Sequence, residues 1–355
     1  MDSAPRQFFP PHHQLGLFRS PAWQQAWRQH WSDTKALKPL RSINDEQPEF
    51  YRYWHVKRGL PMRTVIPAGI STAPARSMRA EYFCFPPGPE KVEHRVHRYL
   101  EAALRYRWDQ LDLPDLLADS TEHWSLLQAA RNLGLYVTEQ KRETAYAVDL
   151  REQSFSDYVA SRGKNTRLKL YNRRTKVAQQ GALEINNIWP DRATFYDLLN
   201  KLHQARWGKP VYAGRGLAFI DSLLTGLADA GHKVDLSVMY LSGTPISAAL
   251  DITAHGRCYN VQSGFVEDLI KGVSLGTLHF GYQIEAAFEA GAEVYDFMAG
   301  AGKNSQYKAS LANTQHDLVS LRLVRNPALK VAYKWRDRSS QHRAETLHSG
   351  VPDVR

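Results

Sequence analysis

Hydrophobic positions along this chain follow two patterns: spacings of three or four residues, typical of amphipathic helices, and short β-branched or aromatic runs, typical of strands. The first pattern predicts helices at 90–105, 122–133, 190–207, 219–230 and 276–290. The second predicts strands at 49–60, 63–70, 136–138, 144–148, 182–188, 234–241, 246–253, 257–264, 293–298 and 316–324. Both halves mix the two patterns, which predicts an α/β (α+β) fold built of mixed sheets flanked by helices.

The same patterns divide the chain. Residues 1–18 are rich in Pro and His and predict a flexible lead-in, and the polar stretch 331–355 predicts a disordered tail. Between them, we expect an N-terminal domain at 19–150 and a C-terminal domain at 151–330, because 355 residues exceed the usual size of one domain. The tryptophans that follow Pro21 at helical spacing are interpreted as core.

Composition narrows the class of protein. The hydrophobic share of 43% and charged share of 23% are ordinary for a globular chain. Cys84 and Cys258 are too few for a disulfide framework and too far apart for a zinc site, so we expect two buried thiols in a reducing compartment and no metal. The first residues lack a secretory pattern, and no stretch approaches the roughly 20 apolar residues of a membrane span. We therefore expect a cytoplasmic protein without a transmembrane segment.

The formal net charge of +10 favours acidic partners, namely phosphate-bearing cofactors, nucleic acid or an anionic membrane surface. The charge is densest at 161–176, a run with seven Lys or Arg residues and no acid. On a helix, several of these residues share one face, where like charges repel unless an anion is bound. We predict that Arg167, Lys169, Arg173 and Arg174 bind phosphate; a solvated basic face is the alternative.

A second candidate site is the loop that precedes the helix at 276–290. A strand, this loop and the helix together can direct main-chain N–H groups and the positive end of the helix at a diphosphate. Lys271, Gly272, Ser274 and Gly276 are the candidate cofactor-binding residues, the glycines because they would allow close approach of a ligand. An ordinary tight turn explains the loop equally well.

The candidate catalytic residues come from three places. Tyr307 and Lys308 follow a strand and a Gly cluster, where Tyr suits protonation of a leaving thiolate and Lys suits stabilisation of negative charge. His203 lies one helical turn from Arg206 and is a candidate general base. Asp251, an acid within an apolar strand, is the rival base. Arg206 and Trp207 are predicted to contact substrate. A packed Tyr, a structural His and a solvent-facing Asp are the alternatives.

Three motifs in order resemble a known family. S-x-x-x-N-x-R-x-K-x-x-x-R-R at 161–174, H-x-x-R-W at 203–207, and Y-D-F-x-x-G followed by Y-K at 295–308 resemble the BioF2-like acetyltransferase family of the GNAT superfamily, which includes proteins named for cellulose biosynthesis. The segment W-D-Q-L-D-L at 108–113 also looks like one that precedes the acyltransferase half of such proteins. The resemblance implies tandem GNAT-like domains, similar to Fem-type aminoacyltransferases, with the Lys that matches Lys308 in the reaction centre.

The resemblance implies an N- or O-acyltransferase that moves an acyl group from acetyl-CoA or another acyl-CoA to an amine or hydroxyl of a saccharide, lipid-linked or amino-acid-like acceptor. Lys271 to Gly276 departs from the common GNAT diphosphate loop Q/R-x-x-G-x-G/A. Two alternatives therefore stay open: aminoacyl-tRNA as the donor, which the basic run would suit, and a non-catalytic binding module on a GNAT scaffold.

Overall fold

The computed structural model describes residues 16–41, 49–57, 59–72, 74–300 and 303–349, which fold into two compact units. Unit 1 comprises the described residues within 31–142 and from 318 onward, and unit 2 comprises 16–30 and 143–317. Each unit is a mixed sheet with flanking helices, so the predicted fold class is confirmed.

Unit 1 contains strands in the order β1-β2-β3-β4-β11. All of these pairs are antiparallel except the parallel pair β3 and β4. Its elements are β1 (Lys38–Leu40), β2 (Phe50–Lys57), β3 (Leu60–Pro67), α2 (Val92–Leu104), β4 (Gln110–Leu117), α3 (Thr121–Asn132), the first part of β5 (Tyr136–Asp149), the last part of β11 (Thr314–Val324) and α11 (Pro327–Ser349).

Unit 2 contains strands in the order β5-β10-β9-β8-β7-β6, with one parallel pair, β9 and β10. A 3₁₀ turn at Leu17–Arg19 and α1 (Pro21–Trp31) precede it, and Trp23 and Trp27 of α1 are fully buried, as a core stripe requires. Its helical elements are α4 (Phe155–Ser161), α5 (Lys164–Arg167), a π-helical segment (Leu168–Asn172), α6 (Arg173–Ala178), α7 (Arg192–Trp207), α8 (Gly214–Asp229), α9 (Leu275–Glu289) and α10 (Lys303–Leu311). Its remaining strands are β6 (Leu183–Asn187), β7 (Lys233–Leu241), β8 (Thr244–Ala254), β9 (Arg257–Phe265) and β10 (Val294–Ala299).

The two units repeat one connectivity. An antiparallel meander ends in a strand, a crossover helix follows, and the next strand returns parallel to the first: β3, α2, β4 in unit 1 and β9, α9, β10 in unit 2. A last antiparallel strand then closes each unit. In unit 1 this is β11, from the end of the chain, whereas in unit 2 it is β5, from the middle. The chain therefore does not divide in sequence order at Leu150.

Several predicted elements need correction. The strands predicted at 136–138 and 144–148 are one continuous strand, β5. The stretch 331–355 was predicted to be disordered, but α11 makes it helical as far as Ser349. Of the predicted lead-in, residues 1–15 lie outside the described residues, and Leu17–Arg19 form the 3₁₀ turn. Cys258 is buried as predicted, whereas Cys84 is only partly buried, and neither of the two forms a disulfide.

Candidate functional site

The parallel strands of unit 2 separate soon after they meet. β9 and β10 pair only through Val294 to Asp296, which face Arg257 to Tyr259. Beyond Tyr259, β9 continues along β8 to Phe265, with a register shift that marks a bulge. The main chain of β9 therefore borders a gap on its β10 side, and ligands of α/β proteins commonly bind where neighbouring strands part.

Different helices cover the two faces of the sheet at this gap. The Ser247 hydroxyl of β8 lies 2.8 Å from Nδ1 of His279, so α9 covers the face to which Ser247 points. A methyl group at Gly264 would touch Leu202 and His203 of α7. Gly264 pairs with Ala248, the neighbour of Ser247, and adjacent strand residues point to opposite faces. α7 and α9 therefore lie on opposite faces.

α9 packs unusually closely against its surroundings because it carries two glycines. A Cβ at Gly281 would lie 3.1 Å from the carbonyl carbon of Leu170 and nearer still to its oxygen. A Cβ at Gly276 would overlap the ring of Phe265. Gly276 was predicted to admit a ligand to the main chain; instead, its missing side chain makes room for Phe265. Gly281 lets the π-helical segment pack directly onto α9.

This packing brings together two features that are distant in sequence, the basic run and the loop at 271–276. Lys176 Nζ donates to the carbonyl oxygen of Lys271 at 2.6 Å. Arg173 Nη2 lies 3.9 Å from the position of a Cβ on Gly272, whose φ is +76°. The Arg173 Nε atom is buried and donates to none of the described residues. Arg173 and Lys176 therefore place positive charge beside the start of α9.

The start of α9 has main-chain donors and no side-chain cap among the described residues. Ser274 occupies the N-cap position, but its hydroxyl lies 3.0 Å from that of Thr277 and caps no main-chain N–H. The first turn of a helix has N–H groups without intrahelical partners and a partial positive charge. Three cations, Lys271, Arg173 and Lys176, surround this end, which suits an anionic group.

The remaining residues of the basic run have other roles. Arg174 forms an ion pair with Glu285 of α9, and its guanidinium lies 3.8 Å from the ring centroid of Tyr282. Arg167 donates to the carbonyl oxygen of Ala160 at 2.9 Å. Lys169 is exposed. Helical spacing predicts Arg162, Lys169, Arg173 and Lys176 on one face of this run, but the π-helical segment at 168–172 interrupts that spacing. Arg174, a predicted phosphate-binding residue, packs against α9 instead.

Asp251 is the centre of a buried network on the α9 face. Its Oδ1 accepts a hydrogen bond from Asn260, and its Oδ2 accepts from Gln283 and Tyr295, at 2.7–2.9 Å. Burial raises the pKa of Asp251 to about 7, with Asp235 on the neighbouring strand adding to the rise. Since Asp251 is 3% exposed and both oxygens are occupied, it does not face solvent as the alternative held.

His203 and Arg206 sit on α7 at the edge of the gap. His203 Nε2 lies 3.2 Å from the carbonyl oxygen of Ser263, in the part of β9 beyond its pairing with β10. Burial lowers the pKa of His203, which keeps the imidazole neutral near pH 7. Arg206 pairs with Glu267 at 2.9 Å, and its guanidinium lies 4.7 Å from the ring centroid of Phe265. Arg206 thus reaches across the end of β9, beside the exposed Trp207.

Tyr307 and Lys308 lie on α10. The Tyr307 ring stacks on Phe280 of α9 with centroids 6.0 Å apart, and its hydroxyl donates to none of the residues that the structure describes. Burial raises the pKa of Tyr307, while the charge of Arg206 acts in the opposite direction. Tyr307 therefore stands on the α9 face and His203 on the α7 face. From the sequence, Tyr307 and His203 are expected to share one cleft; in the structure they lie on opposite faces of the sheet, and the charge of Arg206 acts on both.

Lys308 is held by the end of β10. Its Nζ donates to the carbonyl oxygens of Met298 and Ala299 at 3.1 and 3.2 Å. Met298 has a φ of +60°, and its N–H donates to Asp296 Oδ1 at 2.6 Å. Asp296 in turn forms a fully buried ion pair with Arg257 at 2.8 Å. Asp296 and Arg257, which the sequence reasoning missed as functional, therefore shape the turn that positions Lys308.

The described residues contain no group of three or more His, Cys, Asp or Glu side chains placed to hold a metal ion. Among the described helices, none combines the length and apolar character needed to cross a bilayer.

Comparison with known proteins identifies the fold of this region. Residues 164–309 match the family model of the acetyltransferase (GNAT) domain, and a comparison with curated proteins finds no match. Among solved structures, the chain is similar to FemX, with a TM-score of 0.55 and 11% identity over 86% of this chain and 92% of FemX. It is also similar to a C-terminal domain (DUF2156) from Agrobacterium fabrum, ascribed to a lysylphosphatidylglycerol synthetase, with a TM-score of 0.51 and 13% identity over 89% of this chain and 91% of that one.

At sequence identities this low, the structural similarities show a shared fold and no more. The matched residues 164–309 include the gap, α9 and most of α10. Membership of the BioF2-like family stays a prediction.

Proposed function

We propose that unit 2 is an N- or O-acyltransferase that takes an acyl group from acyl-CoA and passes it to an amine or hydroxyl of a saccharide, lipid-linked or amino-acid-like acceptor. The observation that carries the proposal is the uncapped start of α9 beside the gap, with Arg173, Lys176 and Lys271 around it. A helix start with adjacent cations suits the diphosphate of CoA. The parted strands leave main-chain groups of β9 to bind the rest of the donor.

In the proposed reaction, the acceptor attacks the thioester carbonyl directly. A bond forms between the acceptor nitrogen or oxygen and the acyl carbon, the C–S bond breaks, and the thiolate leaves with the electron pair. Tyr307 donates its proton to the sulfur, and the raised pKa of Tyr307 keeps that proton in place beforehand. The Lys308 ammonium stabilises the negative charge that develops on the carbonyl oxygen.

The acceptor loses its proton to His203 in this scheme. His203 approaches the gap from the α7 face, whereas Tyr307 approaches from the α9 face, so the base and the acid act on opposite sides of the thioester. A neutral imidazole is required of a base, and burial lowers the pKa of His203 in that direction. Asp251 is not the base in this scheme, because its oxygens already accept three hydrogen bonds.

Aminoacyl-tRNA is the second candidate donor. The net charge of +10 and the exposed Lys169 of the basic run favour a polyanion larger than CoA. The fold that the chain shares with FemX is compatible with either donor. The two donors share an activated acyl group and differ in the leaving group, which is a thiol in CoA and a ribose hydroxyl in tRNA.

Calorimetry with CoA, acetyl-CoA and a charged tRNA separates these candidates. We expect CoA binding that weakens at least about tenfold in Arg173→Gln, the loss of one charge-assisted phosphate contact. Arg131→Gln, which removes an exposed charge from α3 of unit 1, is the matched control and should bind CoA as the wild type does. Tight tRNA binding without CoA binding would replace the first donor with the second, and binding of neither would leave the scaffold as a non-catalytic module.

A further inference from the structure

The tip of the β2–β3 hairpin in unit 1 exposes apolar side chains on both of its faces, with Trp54 and Val56 on one face and Leu60, the partner of Lys57, on the other. Trp54, Val56 and Leu60 are 60%, 64% and 63% exposed. Trp54 and Val56 lie on the same face of β2, and Pro61, the exposed cross-strand partner of Val56, lies beside them. Large apolar side chains that are exposed together are unusual on a soluble surface and mark interaction sites.

The face of β2 that carries Trp54 is buried at the start of the strand and exposed at the tip of the hairpin. Phe50, four residues before Trp54 on the same face, is buried, and its ring lies 4.8 Å from that of Tyr99 on α2. Arg52 donates to the carbonyl oxygen of Arg107, just beyond α2, at 3.2 Å. Past that point the ribbon extends without a helix over it among the described residues. The exposed tip is therefore a continuation of a core face, which no described element covers.

The sequence of the hairpin and of the segment that follows it carries charges of one sign. From Phe50 to Ala80 the sequence has six Lys or Arg residues and no Asp or Glu. Lys38 of β1 is exposed and lies directly across from Arg52, on the face that carries Trp54. Arg63, across from Trp54, pairs with Asp109. An apolar tip that contains a Trp and is bordered by cations is complementary to the interface of an anionic bilayer.

We propose that the β2–β3 hairpin docks the protein on the surface of an anionic membrane, with Trp54, Val56 and Leu60 inserted at headgroup level and Lys38 and Arg52 bound to lipid phosphates. The proposal concerns unit 1 alone and does not depend on the reaction proposed for unit 2. The amphipathic indole of Trp54 favours the boundary between headgroups and acyl chains. The flanking charges supply long-range attraction that salt screens.

Co-sedimentation of the full chain with vesicles tests this. We expect binding to phosphatidylcholine vesicles that contain about one third phosphatidylglycerol, weak binding to phosphatidylcholine alone, and loss of binding at high salt. Trp54→Ser should lower the partition coefficient about tenfold or more, because the apolar area inserted is lost. Lys38→Gln with Arg52→Gln should lower it about 25-fold on anionic vesicles, since each charge near such a surface contributes about fivefold.

Trp124→Ser is the matched control, because Trp124 on α3 is 57% exposed, close to the 60% of Trp54. This variant should bind vesicles as the wild type does. The proposal is overturned if the full chain binds neither vesicle, or if Trp54→Ser binds as tightly as Trp124→Ser. It is also overturned if the Trp54 variant changes only the oligomeric state in size-exclusion chromatography, which would make the tip an interface between copies of the chain.

Discussion

Alanine at position 281 is expected to destabilise unit 2, although alanine is the better helix former. The added methyl carbon would lie 3.1 Å from the carbonyl carbon of Leu170 and closer to its oxygen, whereas a carbon and a carbonyl oxygen normally stay about 3.3 Å apart or more. The obstacle is main chain, so no side-chain rotation relieves it. α9 and the π-helical segment must therefore separate by roughly 1 Å.

The magnitude follows from two opposing effects. Overpacking of a close contact costs about 1–3 kcal/mol, and a rigid main-chain neighbour places this case near the upper end. The glycine-to-alanine change recovers about 1 kcal/mol of helix propensity. We expect a net loss of about 2 kcal/mol, which corresponds to a fall in Tm of about 4–8 °C for a unit of this size.

Urea unfolding followed by circular dichroism measures the change. Gly216→Ala is the matched control, because Gly216 lies in α8 and a Cβ there would meet nothing within 4 Å. That variant should be as stable as the wild type or gain up to about 1 kcal/mol. Opposite signs for the two alanines are the expected result. If Gly281→Ala is stabilised as Gly216→Ala is, the close approach of α9 to Leu170 does not exist in solution.

Three further outcomes are expected. Tyr307→Phe should lower kcat about 100-fold with little change in KM, if its hydroxyl protonates the leaving sulfur; equal kcat values would exclude that role. Arg174→Gln should lower Tm, because Arg174 pairs with Glu285, whereas Arg173→Gln should leave Tm unchanged. If both variants lose CoA affinity and neither changes Tm, the packing role of Arg174 is wrong. Burial raises the pKa of Asp251 to about 7, so the folded state keeps a proton that the unfolded chain releases above about pH 4. The free energy of unfolding of the wild type, relative to that of Asp251→Asn, should therefore fall from pH 4 to 7. A difference that stays constant over this pH range would refute the prediction.

The periodic elements of the fold could be predicted because they depend on local spacing. β7, β8, β9 and α9 lie within one or two residues of the predicted ranges. The order of the strands could not be predicted in the same way. β5 closes unit 2 and β11 closes unit 1 through pairing between strands that lie far apart in the chain, and an alternating apolar pattern does not specify a partner.

The site was predictable in its residue types and less so in its geometry. The acid-free run and the loop at 271–276 were both found, but their contact depends on Gly281, which looks like any other helical glycine in the sequence. The absence of a Cβ, rather than a side chain, makes that contact possible. Arg174 was included among the phosphate-binding residues because of its charge, and no local pattern indicates its partner Glu285, which lies 111 residues further along the chain. The sequence gives one indication of the buried ion pair between Asp296 and Arg257. Asp296 is an acid between Tyr295 and Phe297 in the strand predicted at 293–298.

Two groups of hydrogen-bond donors in unit 2 have no acceptor among the described residues, and one ligand could satisfy both. The buried Nε of Arg173 donates to none of the described residues, and no described side chain caps the first turn of α9. A buried donor without a partner costs about 1–3 kcal/mol, and the N–H groups of a helix start have a similar requirement. Both lie beside Gly272, and the Lys176 contact with Lys271 holds the two segments together. One phosphate group at this place would accept hydrogen bonds from both, as is expected if the diphosphate of the proposed acyl-CoA binds here.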